Sequence, residues 1–176
     1  MNGFNGSDFL LDPYTYEYYN AYMTRDTQEP VSYKGDYSPD VVAQKALDFL
    51  DEATLHHEPF FLGVAPVAPH SNAKQVPFLE LTPPKYAPRH AHLFKNCKIP
   101  RTENFNPDKS SGVAWIKDLP KLNDTVIEWH DEFQRSRLRA LQSVDEMIEA
   151  LVKKLEEKDQ LENTYIFFST DNGYHV

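Results

Sequence analysis

The sequence predicts an α/β fold, a mostly parallel sheet flanked by helices, and three features carry that expectation. Pro59-Phe-Phe-Leu-Gly-Val-Ala65 is a short apolar run between prolines, which suits a strand buried on both faces. Residues from Thr125 to about Lys158 repeat apolar side chains at helical spacing, and a second apolar run, Thr164-Tyr-Ile-Phe-Phe-Ser-Thr170, follows. The order strand, helix, strand, long loop, helix, strand is that of an α/β domain.

Each element has a local reason. Phe9-Leu10-Leu11 forms a short strand that Asp12-Pro13 stops. Tyr14, Tyr16, Tyr18, Tyr19 and Tyr22 come next. They are expected to pack over a sheet edge, with an aromatic platform for sugar as the sharper alternative. Ser38-Pro39-Asp40 opens a helix: serine can cap it, proline suits the first position, and aspartate suits the positive end of the dipole. Val42, Ala46, Phe49, Leu50 and Ala53 give that helix one apolar face to about Leu55.

Pro66-Val-Ala-Pro-His70 follows the 59–65 strand at once, and residues 71–122 read as a long proline-rich loop with Trp115 as its expected anchor. Asn123 or Asp124 caps the long helix. Its buried stripe is Phe133, Leu141, Val144, Ile148, Leu151, Val152 and Leu155.

Composition narrows the function. The net charge of -9 argues against general binding of a phosphate backbone, so no nucleic-acid partner is expected. No run approaches the ~18 apolar residues of a membrane span. Cys97 is the single cysteine, which excludes an internal disulfide. The first residues lack the basic and apolar regions of a secretory signal, so the protein is expected either to be cytosolic or to lack its beginning.

The chemistry concentrates where the last apolar run stops, at Asp171-Asn172-Gly173. Side-chain oxygens of Asp and Asn suit a hard cation, and ligands sit at the carboxyl edge of open α/β sheets. A tight hairpin turn at Asn172-Gly173 is the structural alternative. His70, at the end of the other strand, is a surface residue unless it faces the same crevice, where it becomes an anion ligand or general acid. His175 lies near the metal pair. Cys97-Lys98-Ile99-Pro100-Arg101 sits in irregular loop, with no turn to expose and orient a nucleophilic thiol. Asn5-Gly6-Ser7 and Asn123-Asp124-Thr125 are glycosylation sequons, relevant only to a secreted protein.

Taken together, four segments resemble the sulfatase family, and most closely the fungal arylsulfatases. They are Gly6-Ser-Asp-Phe-Leu-Leu-Asp-Pro-Tyr-Thr-Tyr16, Pro59 to His70, Arg137-Leu-Arg-Ala-Leu-Gln-Ser-Val-Asp145, and Asn163 to His175, in the family's order. The resemblance implies an alkaline-phosphatase-like domain that hydrolyses sulfate esters with a formylglycine nucleophile and a calcium ion. It implies that Asp171 and Asn172 are the family's late metal ligands and that His70 contacts sulfate and helps protonate the leaving group. It makes His175 a further substrate-binding residue.

Some of the family's pattern is missing. The early Asp-Asp ligands and the Cys/Ser-x-Pro/Ala-x-Arg nucleophile motif are not present. Cys97 has Ile99 where that motif needs Pro or Ala, and it follows the Pro-His segment instead of preceding it. The expectation is therefore that residues 1–176 are an internal piece of one sulfatase catalytic domain, incomplete at both ends and inactive alone. The expected partner is a small-molecule or sugar sulfate ester, and family resemblance points to the secretory pathway. The alternatives are a phosphate or phosphonate ester hydrolase of the same superfamily, or a non-catalytic binding module.

Overall fold

The computed structural model describes residues 3–56 and 58–173. Two long helices and two small antiparallel sheets make up its regular structure. The first sheet joins β1 (Asp8–Leu10), β2 (Asn20–Arg25) and β3 (Val31–Lys34) in chain order, with Phe9 opposite Thr24 and Tyr22 opposite Ser32. Gly6 lets the chain before β1 lie tight on the first helix, because a Cβ there would come within 2.8 Å of the Phe49 ring.

Helix α1 (Ser38–Thr54) forms where its apolar face predicts, with Ala46 and Leu50 buried. Its cap differs from expectation. Tyr37 occupies the capping position without a side-chain bond, and Ser38 is already helical. The Ser38 amide donates to the Tyr18 carbonyl at 2.8 Å, while its hydroxyl is buried without a partner. Tertiary packing, not the serine side chain, starts this helix.

Helix α3 (Asp124–Glu157) is capped as expected by Asn123, whose side chain accepts the Val126 amide at 3.0 Å. Val144 and Leu155 of its predicted stripe are buried, and Leu141, Ile148 and Leu151 are partly buried. Packed with Met147 and Ala140, this face meets Tyr18, Tyr37, Ala68 and Ala87 in the hydrophobic core. Lys154 and Lys158 both reach Asp51 of α1 at 2.9 Å, closing the far end of the helix pair.

Residues 71–122 contain β4 (Asn72–Lys74) paired antiparallel with β5 (Glu80–Thr82), and a short helix α2 (Ala114–Lys117). The rest of the segment is irregular but strapped down. Trp115 does not anchor it, being 67% exposed. A polar row on α3 does so instead. Asp131 accepts the Ile99 amide at 2.9 Å and a two-pronged bond from Arg101 at 2.8 and 2.7 Å. Arg135 donates to the Cys97 carbonyl at 3.2 Å, and Arg139 to the Leu93 carbonyl at 2.9 Å. Arg89 bridges Asp40 of α1 and Glu146 of α3, which also meets His90 at 2.8 Å. A loop this long must satisfy its backbone somehow, and charged side chains at four-residue spacing on one helix do it here.

The two segments expected to be central parallel strands, 59–65 and 164–170, carry no strand ladder, and both sheets among the described residues are antiparallel. Burial on the first run alternates residue by residue, leaving Phe61 81% exposed. The second is exposed almost throughout, with Tyr165 at 90% and Phe167 at 89%. An apolar run specifies burial on both faces, but a strand also needs a neighbour's amides and carbonyls, and no described segment supplies them.

Candidate functional site

His70 sits at the end of a turn, its amide donating to the Val67 carbonyl at 2.9 Å. The tyrosine-rich segment before β2 holds it from below. Tyr18 is fully buried, and its hydroxyl donates to the His70 carbonyl at 2.8 Å. Burial pushes the Tyr18 phenol well above its ordinary range, with the nearby Tyr37 adding to it, so it remains a donor. The Tyr18 amide donates to the Asn72 side chain at 3.2 Å, and the Ala73 amide to the Tyr16 carbonyl at 3.0 Å. The Tyr16 ring lies against the imidazole, with centroids 4.3 Å apart. The imidazole itself is exposed, and its Nδ1 lies 2.7 Å from the Ser71 carbonyl oxygen.

The tyrosines therefore divide their work. Tyr18 and Tyr37 build core, Tyr19 bonds the Tyr86 carbonyl, and Tyr14 stacks on Tyr22. Tyr16 lays its ring against the His70 imidazole, while Tyr18 reaches the His70 backbone. The expected packing role holds for most of the group, and alternating tyrosine spacing in the sequence does not single out Tyr16.

Asp171 and Asn172 lie exposed beyond the last apolar run. One Asp171 carboxylate oxygen accepts the Asn172 amide at 2.9 Å, and the Asn172 side-chain amide donates to the Gly173 carbonyl at 2.7 Å. Among the described residues, the second Asp171 oxygen and the Asn172 oxygen have no hydrogen-bond donor. Neither Asn172 nor Gly173 has the positive φ that a tight hairpin turn requires, which counts against the turn reading. Two hard oxygens of this kind fit calcium in type but not in number, since 6–8 are preferred. Among the described residues no group of three His, Cys, Asp or Glu side chains gathers as a metal site. No hydrogen bond or ion pair among the described residues joins His70 to Asp171 or Asn172. His175 lies outside the described residues.

Cys97 is partly buried in the strapped loop, with its carbonyl taken by Arg135. A cleft of about 520 Å³ opens beside Asp8, Arg25, Asp26 and Lys45, and neither His70 nor Asp171 lines it. No helix among the described residues is long and apolar enough to cross a membrane.

Comparison with known proteins adds the rest. The sequence profile of the sulfatase family matches residues 1–176. A sulfatase of Metarhizium majus, ppz1, is 43% identical over 168 residues, covering 95% of this chain and 39% of that protein. An arylsulfatase of Volvox carteri is 37% identical over 185 residues, covering 99% of this chain and 28% of its own. Human N-acetylglucosamine-6-sulfatase is 37% identical over 165 residues, 91% of this chain and 28% of its own. The chain thus spans well under half the length of these relatives.

Proposed function

Because the chain belongs to the sulfatase family, we propose that it carries part of the site of a metal-dependent sulfuric ester hydrolase. The observation that carries this reading is the family match over residues 1–176, in which an exposed His70 is held by backbone and ring in the Pro-His segment. His70 is the residue we assign to sulfate contact and proton transfer, with His175 as a second substrate-binding residue. The names of the relatives support an aryl or sugar sulfate ester as substrate class.

Asp171 and Asn172 are assigned as two ligands of calcium, which when bound would stabilise negative charge on the sulfate oxygens. Two donors cannot fill that ion's shell, and Cys97 has neither the motif nor the setting of a nucleophile. We therefore read residues 1–176 as one part of a catalytic domain that does not turn over substrate alone. Residues 59–65 and 164–170 are read as strands of its mostly parallel sheet, a reading supported by their apolar side chains and unpaired backbone. Exposure of both sequon asparagines, Asn5 and Asn123, supports a route through the secretory pathway.

The test has two arms. Purified chain with calcium and 4-nitrocatechol sulfate should give no turnover above the protein-free rate, and clear turnover would sink the claim of inactivity. A chimera in which residues 1–176 replace the matching segment of the Metarhizium majus relative should hydrolyse the same ester. Replacing His70 by Gln in it should lower kcat on the order of 10²-fold. A folded chimera without activity would overturn the assignment.

A further inference from the structure

The contacts around His70 specify which of its nitrogens handles a proton. Nδ1 lies 2.7 Å from the Ser71 carbonyl oxygen, and a carbonyl can only accept. Nδ1 must therefore carry the hydrogen, and in the neutral imidazole the lone pair is left on Nε2, which takes no protein partner among the described residues. The ring is also held in orientation. Tyr16 covers one face at 4.3 Å between centroids, with an angle of 31° between the planes. The backbone beneath cannot drift from this ring, because residues 16–18 grip residues 70–73 at three points. These are the Tyr18 hydroxyl on the His70 carbonyl, the Asn72 side chain on the Tyr18 amide, and the Ala73 amide on the Tyr16 carbonyl.

We propose that Tyr16 is a positioning residue: together with the Ser71 carbonyl it holds His70 as the Nδ1–H tautomer and presents Nε2 to an anionic oxyester ligand. The reading rests on His70 being a site residue, and it adds the atom that acts and the residue that aims it. An aromatic ring tilted against one face suits this task because its bulk restrains imidazole rotation. A carbonyl acceptor at Nδ1 leaves Nε2 able to take up a proton and, once protonated, to donate it.

Long-range 1H–15N spectra of the imidazole nitrogens in the 176-residue chain test this directly. His70 is assigned among the seven histidines by the signal lost in His70→Gln. The expected result, above the pH at which the ring is protonated, is a pyrrole-type shift on Nδ1 and a pyridine-type shift on Nε2. Tyr16→Phe should preserve that pattern and the ring-current shift on the imidazole protons. Tyr16→Leu should lose the ring-current shift and mix the tautomers. A predominantly Nε2–H ring in the unmodified chain would overturn the proposal whether or not any variant folds. An unchanged tautomer ratio in Tyr16→Leu would remove Tyr16 from it. The hydrolysis assay on the chimera reports on the function separately: if His70→Gln leaves it active, the catalytic reading fails while the tautomer result still stands or falls by its own spectrum.

Discussion

The hydroxyl of Tyr18 donates to the carbonyl of His70 across 52 residues of sequence, at 2.8 Å and with Tyr18 fully buried. The bond ties the core directly to the exposed end of the Pro-His segment. Tyr18→Phe keeps the ring and removes the donor, leaving that carbonyl short of a partner. We expect a loss of about 1–2 kcal/mol in stability, read by chemical denaturation, with a shift in the His70 and Ser71 amide signals. An unchanged midpoint would mean that water replaces the hydroxyl without cost.

Asp131 is the hub that holds the long loop on α3, accepting from Ile99 and Arg101. Asp131→Asn keeps the shape but loses the charge-assisted bonds. The expected cost is about 2 kcal/mol. Trypsin should cut faster at Lys95, Lys98 and Arg101, and a digestion rate equal to that of the unmodified chain would count against the hub.

Acid should loosen the same frame. Burial alone would raise the Asp131 and Glu132 carboxyls. For Asp131, the Ile99 amide and Arg101 outweigh it and hold the group below its ordinary value; for Glu132, Arg135 and Arg139 do so. Arg89, opposed by partial burial and aided by His90, holds Glu146 down. Groups with depressed folded-state values bind fewer protons folded than unfolded. Their contribution is therefore complete above the unfolded range of about 4 and is lost as pH falls through the lower folded values. Unfolding midpoints should be level at pH 5 to 7 and drop progressively below pH 4, less steeply in Glu146→Gln.

Calcium binding by this chain should be weak. With two hard side-chain oxygens at Asp171 and Asn172, a dissociation constant on the order of millimolar or weaker is expected. Calcium titration should shift the Asp171 and Asn172 signals without saturation below that range, and Asp171→Ala should abolish the response. Micromolar saturation would show a fuller ligand set than these two residues supply.

The run 164–170 should make the chain self-associate. Tyr165, Phe167 and Phe168 are exposed, and their backbone has no ladder partner among the described residues. An unpaired apolar edge invites pairing with another copy. Phe167→Lys should reduce the apparent mass in sedimentation at high concentration. Equal association in both proteins would place the sticky surface elsewhere.

The helices were legible because periodicity is a local property. The apolar faces of α1 and α3 and the Asn123 cap can be read within a few turns of chain. The polar row Asp131, Arg135, Arg139 and Ser143 is buried, which its four-residue spacing in the sequence does not reveal. Charged residues on a helix normally mark its wet face, and only the loop folded over them buries them. The chemistry at Asp171-Asn172 and His70 was visible as residue types at the ends of apolar runs. Their surroundings were not visible, since Tyr16 and Tyr18 reach His70 from more than fifty positions away.

By itself, then, the sequence determined the two helices, the candidate donors and the family resemblance, because each depends on neighbours along the chain. Only the tertiary structure decided that Tyr37 and not Ser38 precedes α1, that polar groups of α3 hold the long loop, and that Tyr16 covers His70. It also left the two apolar runs without ladder partners among the described residues. An apolar pattern states what a strand would bury, but hydrogen bonds between strands are made across space, and the pattern alone does not provide them.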